Sequence, residues 1–168
     1  RELINEIVSL ANSKNIPVVV DPKKDHFLDF KNANLFKPNL KEIKEGLKIE
    51  FDENDPIALE KAISSLQKSV NAQVVLNTLS DKGMVVRWQE DGRFKSEKFP
   101  AHYRNISDVS GAGDTVISVA ALCLASAIEV PDMAAIANLA GGIVCEEVGV
   151  VPINKTKLQD EVIRMLSK

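Results

Sequence analysis

The junction at residues 108–121 is the most informative part of the sequence: Asp108-Val109-Ser110-Gly111-Ala112-Gly113-Asp114 leads directly into an apolar segment. A glycine-bearing loop that opens a helix presents free backbone N–H groups at the positive end of the helix dipole, which favours phosphate. Asp114 is the exception, because its carboxylate repels the anion that the loop attracts. A base beside a phosphate can take the proton of a hydroxyl group that receives the phosphoryl group. The junction therefore predicts a phosphate site with Asp114 as its base.

A glycine-rich helix cap is the alternative interpretation of this loop, because helix starts often contain glycine. The aspartates at 108 and 114 and the small-residue helix that follows favour the phosphate site. The sequence contains neither the G-x-x-x-x-G-K-[ST] pattern nor the G-x-G-x-x-G pattern. P-loop nucleotide hydrolases and Rossmann dinucleotide-binding proteins therefore lose support.

Composition places the chain among ordinary globular proteins. Its 168 residues suit one domain, and 45% are hydrophobic and 27% charged. The net charge of −3 argues against nucleic-acid binding. No segment reaches the roughly 18–20 uninterrupted apolar residues of a membrane span. Cys123 and Cys145 lie in small, apolar helical surroundings, which predicts buried free thiols and a cytoplasmic protein.

Helix and strand patterns alternate along the first half of the chain. Short buried strands are predicted at 17–20, 35–36 and 74–76, and a hairpin at 84–99. Helices are predicted at 113–127, 131–147 and 155–167, the second of them ended by Gly149. This order predicts an α/β fold with three α/β/α layers and a mostly parallel sheet with antiparallel edge strands. The chain begins without Met inside an amphipathic helix pattern, so we expect a fragment of a larger fold.

Residues 108–114 resemble the C-terminal signature of the ribokinase-like (PfkB-type) carbohydrate kinases. The resemblance implies that Asp114 is the catalytic base and that the N–H groups of Gly111, Ala112 and Gly113 form an anion hole. It extends over nearly the whole chain but covers only the C-terminal half of such a kinase domain. Residues 1–168 are therefore expected to be the nucleotide and catalytic-base half, without the sugar-binding and lid half, and weak or inactive alone.

Asn39 and Glu42 resemble the Asn-x-x-Glu motif of the same family. A spacing of three places both side chains on one helix face, where their oxygens can hold Mg²⁺ through its waters. The alternative is a helix N-cap with a capping-box glutamate, which uses the same spacing. Taken together with the Asp114 loop, the motif favours Mg²⁺.

The resemblance also implies further nucleotide contacts. Thr78, Ser80 and Gly83 follow the third strand, where relatives contact nucleotide phosphates and ribose; a plain turn is the equal alternative. Asn138 lies in a stretch that lines the nucleotide pocket in relatives, although close helix packing alone explains its small neighbours. Lys23, after Asp21 and Pro22, is a candidate phosphate contact, against the commoner exposed turn lysine.

A monovalent-cation site is the last implied feature. Asp108, Ser110 and the carbonyl groups around Gly149 resemble the site that some relatives use, which implies K⁺. Asp108 is also a candidate metal ligand beside Asn39 and Glu42. His26 and His102 lack the spacing of metal or triad chemistry and are assigned no role.

By this resemblance the parent enzyme transfers the γ-phosphoryl group of ATP, with Mg²⁺, to a sugar hydroxyl. Residues 37–42 and 108–117 are most similar to the heptose-phosphate kinases of lipopolysaccharide synthesis. They imply D-glycero-D-manno-heptose 7-phosphate as the acceptor and the 1,7-bisphosphate as the product. Ribose or fructose is the alternative acceptor. A non-catalytic nucleotide-binding module and a plain α/β scaffold are the alternative classes. Sugar and ATP are the expected partners, together with a second copy of the chain, since a face left uncovered predicts self-association.

Overall fold

The computed structural model describes residues 2–102 and 104–167; Arg1, Tyr103 and Lys168 of the predicted span lie outside this description. A short 3-10 turn, Ser80–Lys82, joins the third strand to the fourth. The remaining elements, in chain order, are α1 Glu2–Ser13, β1 Val19–Val20, β2 Leu35–Phe36, α2 Leu40–Leu47, α3 Pro56–Val70, β3 Val74–Thr78, β4 Met84–Glu90, β5 Arg93–Phe99, α4 Ala112–Ala125, α5 Val130–Val144 and α6 Lys155–Leu166.

The strands form one five-stranded sheet in the order β1-β2-β3-β4-β5. β1, β2 and β3 are parallel, and the β4–β5 hairpin continues the sheet in antiparallel fashion. Val74 pairs with Trp88 and Thr78 with Met84, so β4 begins at the edge where β3 ends. The predicted combination of parallel strands and an antiparallel hairpin is confirmed.

Apolar side chains pack on both faces of the sheet. On one face Ile63 and Leu66 of α3 pack in the same cluster as Val75. On the other face Ala120 of α4 and Ala137 of α5 pack in the cluster that contains Leu76. Consecutive strand residues point to opposite faces, so the two clusters lie on either side of the sheet. The three-layer α/β/α architecture is therefore confirmed.

Local sequence signals explain where two of the helices begin. Asp55 caps α3, its side chain accepting a hydrogen bond from the Ile57 N–H at 2.9 Å, and Pro56 occupies the first turn, where its missing donor matters least. Asn39 caps α2 through a capping box. The start of α2 agrees with the capping interpretation given for Asn39 and Glu42.

The apolar stripe of α1 faces solvent. Leu3, Ile7 and Leu10 are 67%, 56% and 58% exposed, whereas Val8, outside this stripe, is buried. The stripe predicted from the sequence is present as a helical face, but the described residues leave it uncovered.

Helix α5 ends earlier than the sequence predicts. Its last residue is Val144, so the prediction that Gly149 ends it is wrong. The cause is a tertiary contact, because the N–H groups of Ser107 and Asp108 donate to the Cys145 carbonyl at 2.8 and 3.2 Å. This carbonyl is then not available for the hydrogen bond that a longer helix would need.

Buried thiols and an ion-pair network complete the helical layer of α4, α5 and α6. Cys123 and Cys145 are buried free thiols, as predicted. Arg104 donates to Glu146 at 2.9 Å and also pairs with Glu161, which links the segment before α4 to the chain just after α5 and to α6. Within residues 2–102 and 104–167, every helix is too short or too polar to cross a membrane.

Candidate active site

The predicted site residues that follow β1, β2 and β3 meet at the carboxyl edge of the parallel strands. Asp21 follows β1, Asn39 follows β2 and Thr78 ends β3. The Lys37 N–H donates to the Val20 carbonyl at 2.8 Å, and the Thr78 N–H donates to the Pro38 carbonyl at 3.1 Å. Open α/β sheets bind ligands at this edge.

The loop 108–111 delivers the N-terminus of α4. Gly111 is the N-cap residue, and its φ of 79° lies in the left-handed region that glycine adopts without strain. Among the described residues, no N-cap side chain accepts a hydrogen bond from the first turn of α4. The Ala112 N–H makes a long hydrogen bond of 3.3 Å to the Val109 carbonyl. Because the first N–H groups of a helix lack intrahelical acceptors, those of Gly113 and Asp114 can bind an anion. Asp114 itself is exposed in this first turn.

Lys37 is a residue of this edge that the sequence analysis did not assign. Its side chain is only 5% exposed, and Nζ lies 2.9 Å from Asp21 Oδ1. Nζ also lies 3.6 Å from the position that a Cβ on Gly113 would occupy. The only sequence signal was its place directly before Pro38 and Asn39, and lysine is so often exposed that this position alone did not indicate burial.

Lys23 shares the Asp21 carboxylate from the solvent side, with Nζ 3.2 Å from Oδ2. Desolvation lowers the pKa of Lys23, but the Asp21 hydrogen bond and the charges of Asp21, Glu42 and Asp114 outweigh it and raise that pKa above its usual value. Lys23 therefore lies in the field of three carboxylates from three different segments. The structure brings together Lys23, Glu42 and Asp114, which the sequence proposed separately.

Asn39 and Glu42 form the capping box that was the alternative interpretation. Glu42 N–H donates to Asn39 Oδ1 at 2.9 Å, and Asn39 N–H donates to Glu42 Oε2 at 2.8 Å. The box occupies one oxygen of each side chain, so Glu42 Oε1 keeps its lone pairs. The side-chain oxygens of Asn39 and Glu42 are hard donors. So few of them suit Mg²⁺, because this ion keeps most of its bound waters in a protein site. Capping and Mg²⁺ binding through water are therefore compatible here.

Asp108 has a separate set of partners. Its Oδ1 accepts from the Ser110 N–H at 2.9 Å and the Ser110 hydroxyl at 2.8 Å, and Oδ2 accepts from the Gly149 N–H at 3.0 Å. Hydrogen bonds from the Ser110 N–H and hydroxyl, and then from Gly149, lower the pKa of Asp108. The three residues of the predicted K⁺ site are thus adjacent. None of these hydrogen-bond partners also bonds to Asn39 or Glu42. Among the described residues, no three His, Cys, Asp or Glu side chains form a cluster that could bind a metal ion.

Of the predicted nucleotide contacts, Ser80 and Gly83 lie between β3 and β4, whereas Thr78 ends β3 and Asn138 lies on α5. Ser80 is exposed with a φ of 57°, and Gly83 has a φ of 88°. A Cβ on Gly83 would lie 2.0 Å from the Phe99 carbonyl oxygen, so only glycine fits. Asn138 Nδ2 donates to the Pro100 carbonyl at 2.8 Å, which ties α5 to the chain directly after β5. Gly83 and Asn138 therefore both lie against the chain at residues 99–101.

Comparison with known proteins identifies the family of the chain. Residues 1–157 match the family described as pfkB family carbohydrate kinase. The bifunctional protein HldE of Alcanivorax borkumensis is 37% identical over 153 residues, which is 91% of this chain and 31% of HldE. HldE of Campylobacter curvus is 34% identical over 95% of this chain and 32% of its own length. The chain thus spans about a third of these relatives.

Solved structures show the same fold. Phosphofructokinase-2 from Escherichia coli, in complex with potassium, superposes with a TM-score of 0.83 at 22% identity, over 98% of this chain and 52% of that one. Arabidopsis thaliana ribokinase, complexed with ribose and ATP, gives a TM-score of 0.79 at 17% identity, over 96% of this chain and 52% of that one. With the family match over residues 1–157, the chain belongs to the pfkB family of carbohydrate kinases.

Proposed function

We propose that this chain is the nucleotide-binding and catalytic-base half of a kinase that phosphorylates a sugar hydroxyl with ATP. The observation that carries the proposal is the first turn of α4, where the exposed Asp114 directly follows Gly113, whose N–H lacks an acceptor within the helix. A base next to an anion site suits phosphoryl transfer to a hydroxyl group. The upstream half of the domain, with the sugar-binding residues, is proposed to be supplied by chain that is not part of this sequence.

In the proposed reaction the sugar oxygen forms a bond to the γ-phosphorus while the bond from that phosphorus to the bridging oxygen of ADP breaks. Asp114 accepts the hydroxyl proton. The backbone N–H groups at the start of α4 stabilise the charge on the phosphoryl oxygens. Mg²⁺ held through water by Asn39 and Glu42 would neutralise charge on the nucleotide phosphates. ADP and the sugar phosphate leave as products.

The proposed nucleotide contacts are Thr78, Ser80 and Gly83 on the loop after β3, with Asn138 across from them and Lys23 near the phosphates. We propose K⁺ at Asp108, Ser110 and the Gly149 loop, whose adjacency supports it. Phosphofructokinase-2, which shares this fold, was solved in complex with potassium, and this supports K⁺ as the ion that we propose.

We propose D-glycero-D-manno-heptose 7-phosphate as the acceptor, phosphorylated at its anomeric hydroxyl. The support is the 37% identity with HldE, against 17–22% with phosphofructokinase-2 and ribokinase. This support comes from the nucleotide half, so ribose and fructose stay as the competing acceptors.

The test joins this chain to its upstream half and compares Asp114→Asn with Asp132→Asn. Asp132 is the matched control because it occupies the same third position of helix α5, away from the site. We expect Asp114→Asn to lose roughly 10²- to 10⁴-fold in kcat and to keep ATP·Mg affinity, because only proton transfer is removed. The Asp132→Asn variant should match the wild type. Near-normal turnover by Asp114→Asn would remove Asp114 from the role of base.

An acceptor panel tests the substrate. Heptose 7-phosphate, ribose, fructose and fructose 6-phosphate are compared by kcat/KM with ATP, Mg²⁺ and K⁺. Preference for the heptose supports the full proposal, and preference for another sugar keeps the mechanism while replacing the substrate. ATP binding without transfer to any of them indicates a nucleotide-binding module. No saturable ATP binding indicates a scaffold.

A further inference from the structure

We infer that Arg104 is a positioning residue for the proposed K⁺ site, because it anchors the loop that follows α5 to the segment that carries Asp108. The loop comprises residues 145–149, and the segment comprises residues 104–108. The inference rests on the proposed function and deepens it by naming a residue that acts on the ion through the backbone around it.

Hydrogen bonds join the segment to the loop at both ends. Arg104 Nη1 donates to Glu146 Oε1 at 2.9 Å. At the other end, the Gly149 N–H donates to Asp108 Oδ2 at 3.0 Å. Between these contacts, the Cys145 carbonyl accepts from the Asp108 N–H at 3.2 Å. The loop that supplies the proposed carbonyl ligands of K⁺ is therefore fixed at both ends, and Arg104 holds one of them.

The burial of Arg104 is the second argument. Its side chain is 9% exposed, and its Nε is buried with no hydrogen-bond acceptor in the part of the chain that the structure describes. A buried donor without a partner costs stability, and a buried ion pair adds little compared with an apolar pair of the same volume. The advantage of a guanidinium here is geometric, because its planar fork holds Glu146 and Glu161 at fixed positions.

The charge of Arg104 makes the two interpretations of its role separable. A positive charge near a cation site repels K⁺. If Arg104 acted on the ion through its charge alone, its removal would tighten K⁺ binding. If it positions the loop, its removal weakens K⁺ binding, because the carbonyl groups move away from the ion. The two roles therefore predict changes of opposite sign.

Two further contacts of Arg104 provide matched variants. Glu161 of α6 accepts from Arg104 Nη1 at 3.3 Å and also pairs with Nη2. Glu161→Gln therefore weakens the link to α6 and leaves the contact with Glu146. A Cβ on Gly142 would lie 3.0 Å from Arg104 Nε and 3.2 Å from its Cδ. Gly142→Ala therefore displaces Arg104 without changing any charge.

K⁺ titrations of the kinase joined to its upstream half test the assignment, with choline chloride keeping the ionic strength constant. The thermal midpoint of the wild type should rise with K⁺, because an ion that binds the native state stabilises it. Arg104→Met should need roughly 10-fold more K⁺ for half of this rise, as expected when a group that holds metal ligands in place is removed. In excess K⁺ its ATP·Mg affinity should return to the wild-type value, which a general folding defect would not allow.

The matched variants decide between positioning and folding. Gly142→Ala should shift the K⁺ requirement in the same direction, whereas Glu161→Gln should leave it unchanged. An equal shift in Glu161→Gln would mean that Arg104 only holds α6, and unchanged or tighter K⁺ binding in Arg104→Met would refute its positioning role.

Failure of the underlying proposals gives different results. A wild-type midpoint that does not respond to K⁺ would overturn the K⁺ site, and this inference with it. A K⁺ response with the expected shifts, in a protein that binds no ATP, would instead overturn the proposed kinase function and support the role of Arg104.

Discussion

At the amino edge of the sheet the chain turns from helix or loop into strand on asparagines, whereas at the carboxyl edge the left-handed positions include glycines and Ser80. Asn15, Asn32 and Asn71 have φ values of 55°, 63° and 50°, which lie in the left-handed region that asparagine tolerates. Gly83 and Gly111 have φ values of 88° and 79°. The two edges therefore use different residues for chain reversal.

The two edges also differ in the chemistry of their side chains. A cavity of about 520 Å³ lies at the amino edge, and most of its lining is carboxamide. The carboxamides are Asn12, Asn15, Asn32, Asn34, Asn71, Gln73 and Gln89. Some of them bond to each other: Asn71 Nδ2 donates to Asn32 Oδ1 at 2.7 Å, and Asn34 Nδ2 donates to Gln73 Oε1 at 3.1 Å. Uncharged amides that bond to one another hold a fold together but cannot act as acid or base.

The carboxyl edge instead collects charges and free N–H groups. Asp21 holds Lys37 and Lys23, and the first turn of α4 presents its backbone beside Asp114. The cavity at the amino edge is thus a poorer guide to the functional site than the ionised groups are. What marks the site is a group of ionised side chains beside free backbone N–H groups.

The largest expected effect is on stability, from Gly83→Ala at the carboxyl edge. The new Cβ would lie 2.0 Å from the Phe99 carbonyl oxygen and 2.6 Å from the Ala101 nitrogen, both backbone atoms. Steric overlap and the positive φ together should lower the free energy of unfolding by about 3 kcal/mol or more. Urea unfolding of the two proteins measures the difference.

The matched control for Gly83→Ala is Asn71→Gly at the amino edge. It keeps the left-handed backbone at the end of α3 and loses only the exposed hydrogen bond to Asn32, so it should change the unfolding free energy by less than about 1 kcal/mol. Similar losses for the two variants would break the distinction between the edges.

Local signals explain which parts of the fold the sequence predicted. The caps at Asn39 and Asp55, the prolines, and the alternation of helix and strand depend on residues within a few positions of each other, and these elements are confirmed. The end of α5 at Val144 depends on donors from Ser107 and Asp108, far away in the chain, and the prediction there is wrong.

The site residues divide in the same way, into those with a local sequence signal and those brought together by long-range contacts. The glycine loop and Asp114 stand out because the whole pattern is contiguous in sequence. Lys37 does not, because its burial and its contact with Asp21 come from the pairing of β1 with β2. The asparagines of the amino edge are likewise scattered from residue 12 to residue 71 and meet only in the folded chain. Long-range contacts of this kind leave no local pattern to detect.

An intermediate effect is expected from Asn34→Ala, which tests whether the amino edge is purely structural. Asn34 Oδ1 accepts from the Val18 N–H at 2.7 Å, in a partly buried position, and Nδ2 reaches Gln73. Loss of both contacts should lower the free energy of unfolding by about 1–2 kcal/mol and leave ATP·Mg affinity unchanged. Asn5→Ala, on the exposed side of α1, is the control and should cost nothing. A fall in ATP·Mg affinity for Asn34→Ala would show that the edges are coupled.

The smallest expected effect is pH-dependent and concerns Asp108→Asn. Hydrogen bonds from Ser110 and then Gly149 lower the pKa of Asp108, so its carboxylate stabilises the fold above the ordinary carboxyl pKa of about 3.9 and loses that contribution as the pH falls through the lowered value. In the variant, an NH₂ group replaces one carboxylate oxygen. It faces the N–H of Ser110 or Gly149, so two hydrogen-bond donors lie opposite each other without an acceptor. The variant should therefore unfold at lower urea concentration than the wild type at pH 7, and the gap should narrow toward pH 3. A gap of the same size at both pH values would mean that Asp108 acts through its shape and not through its charge.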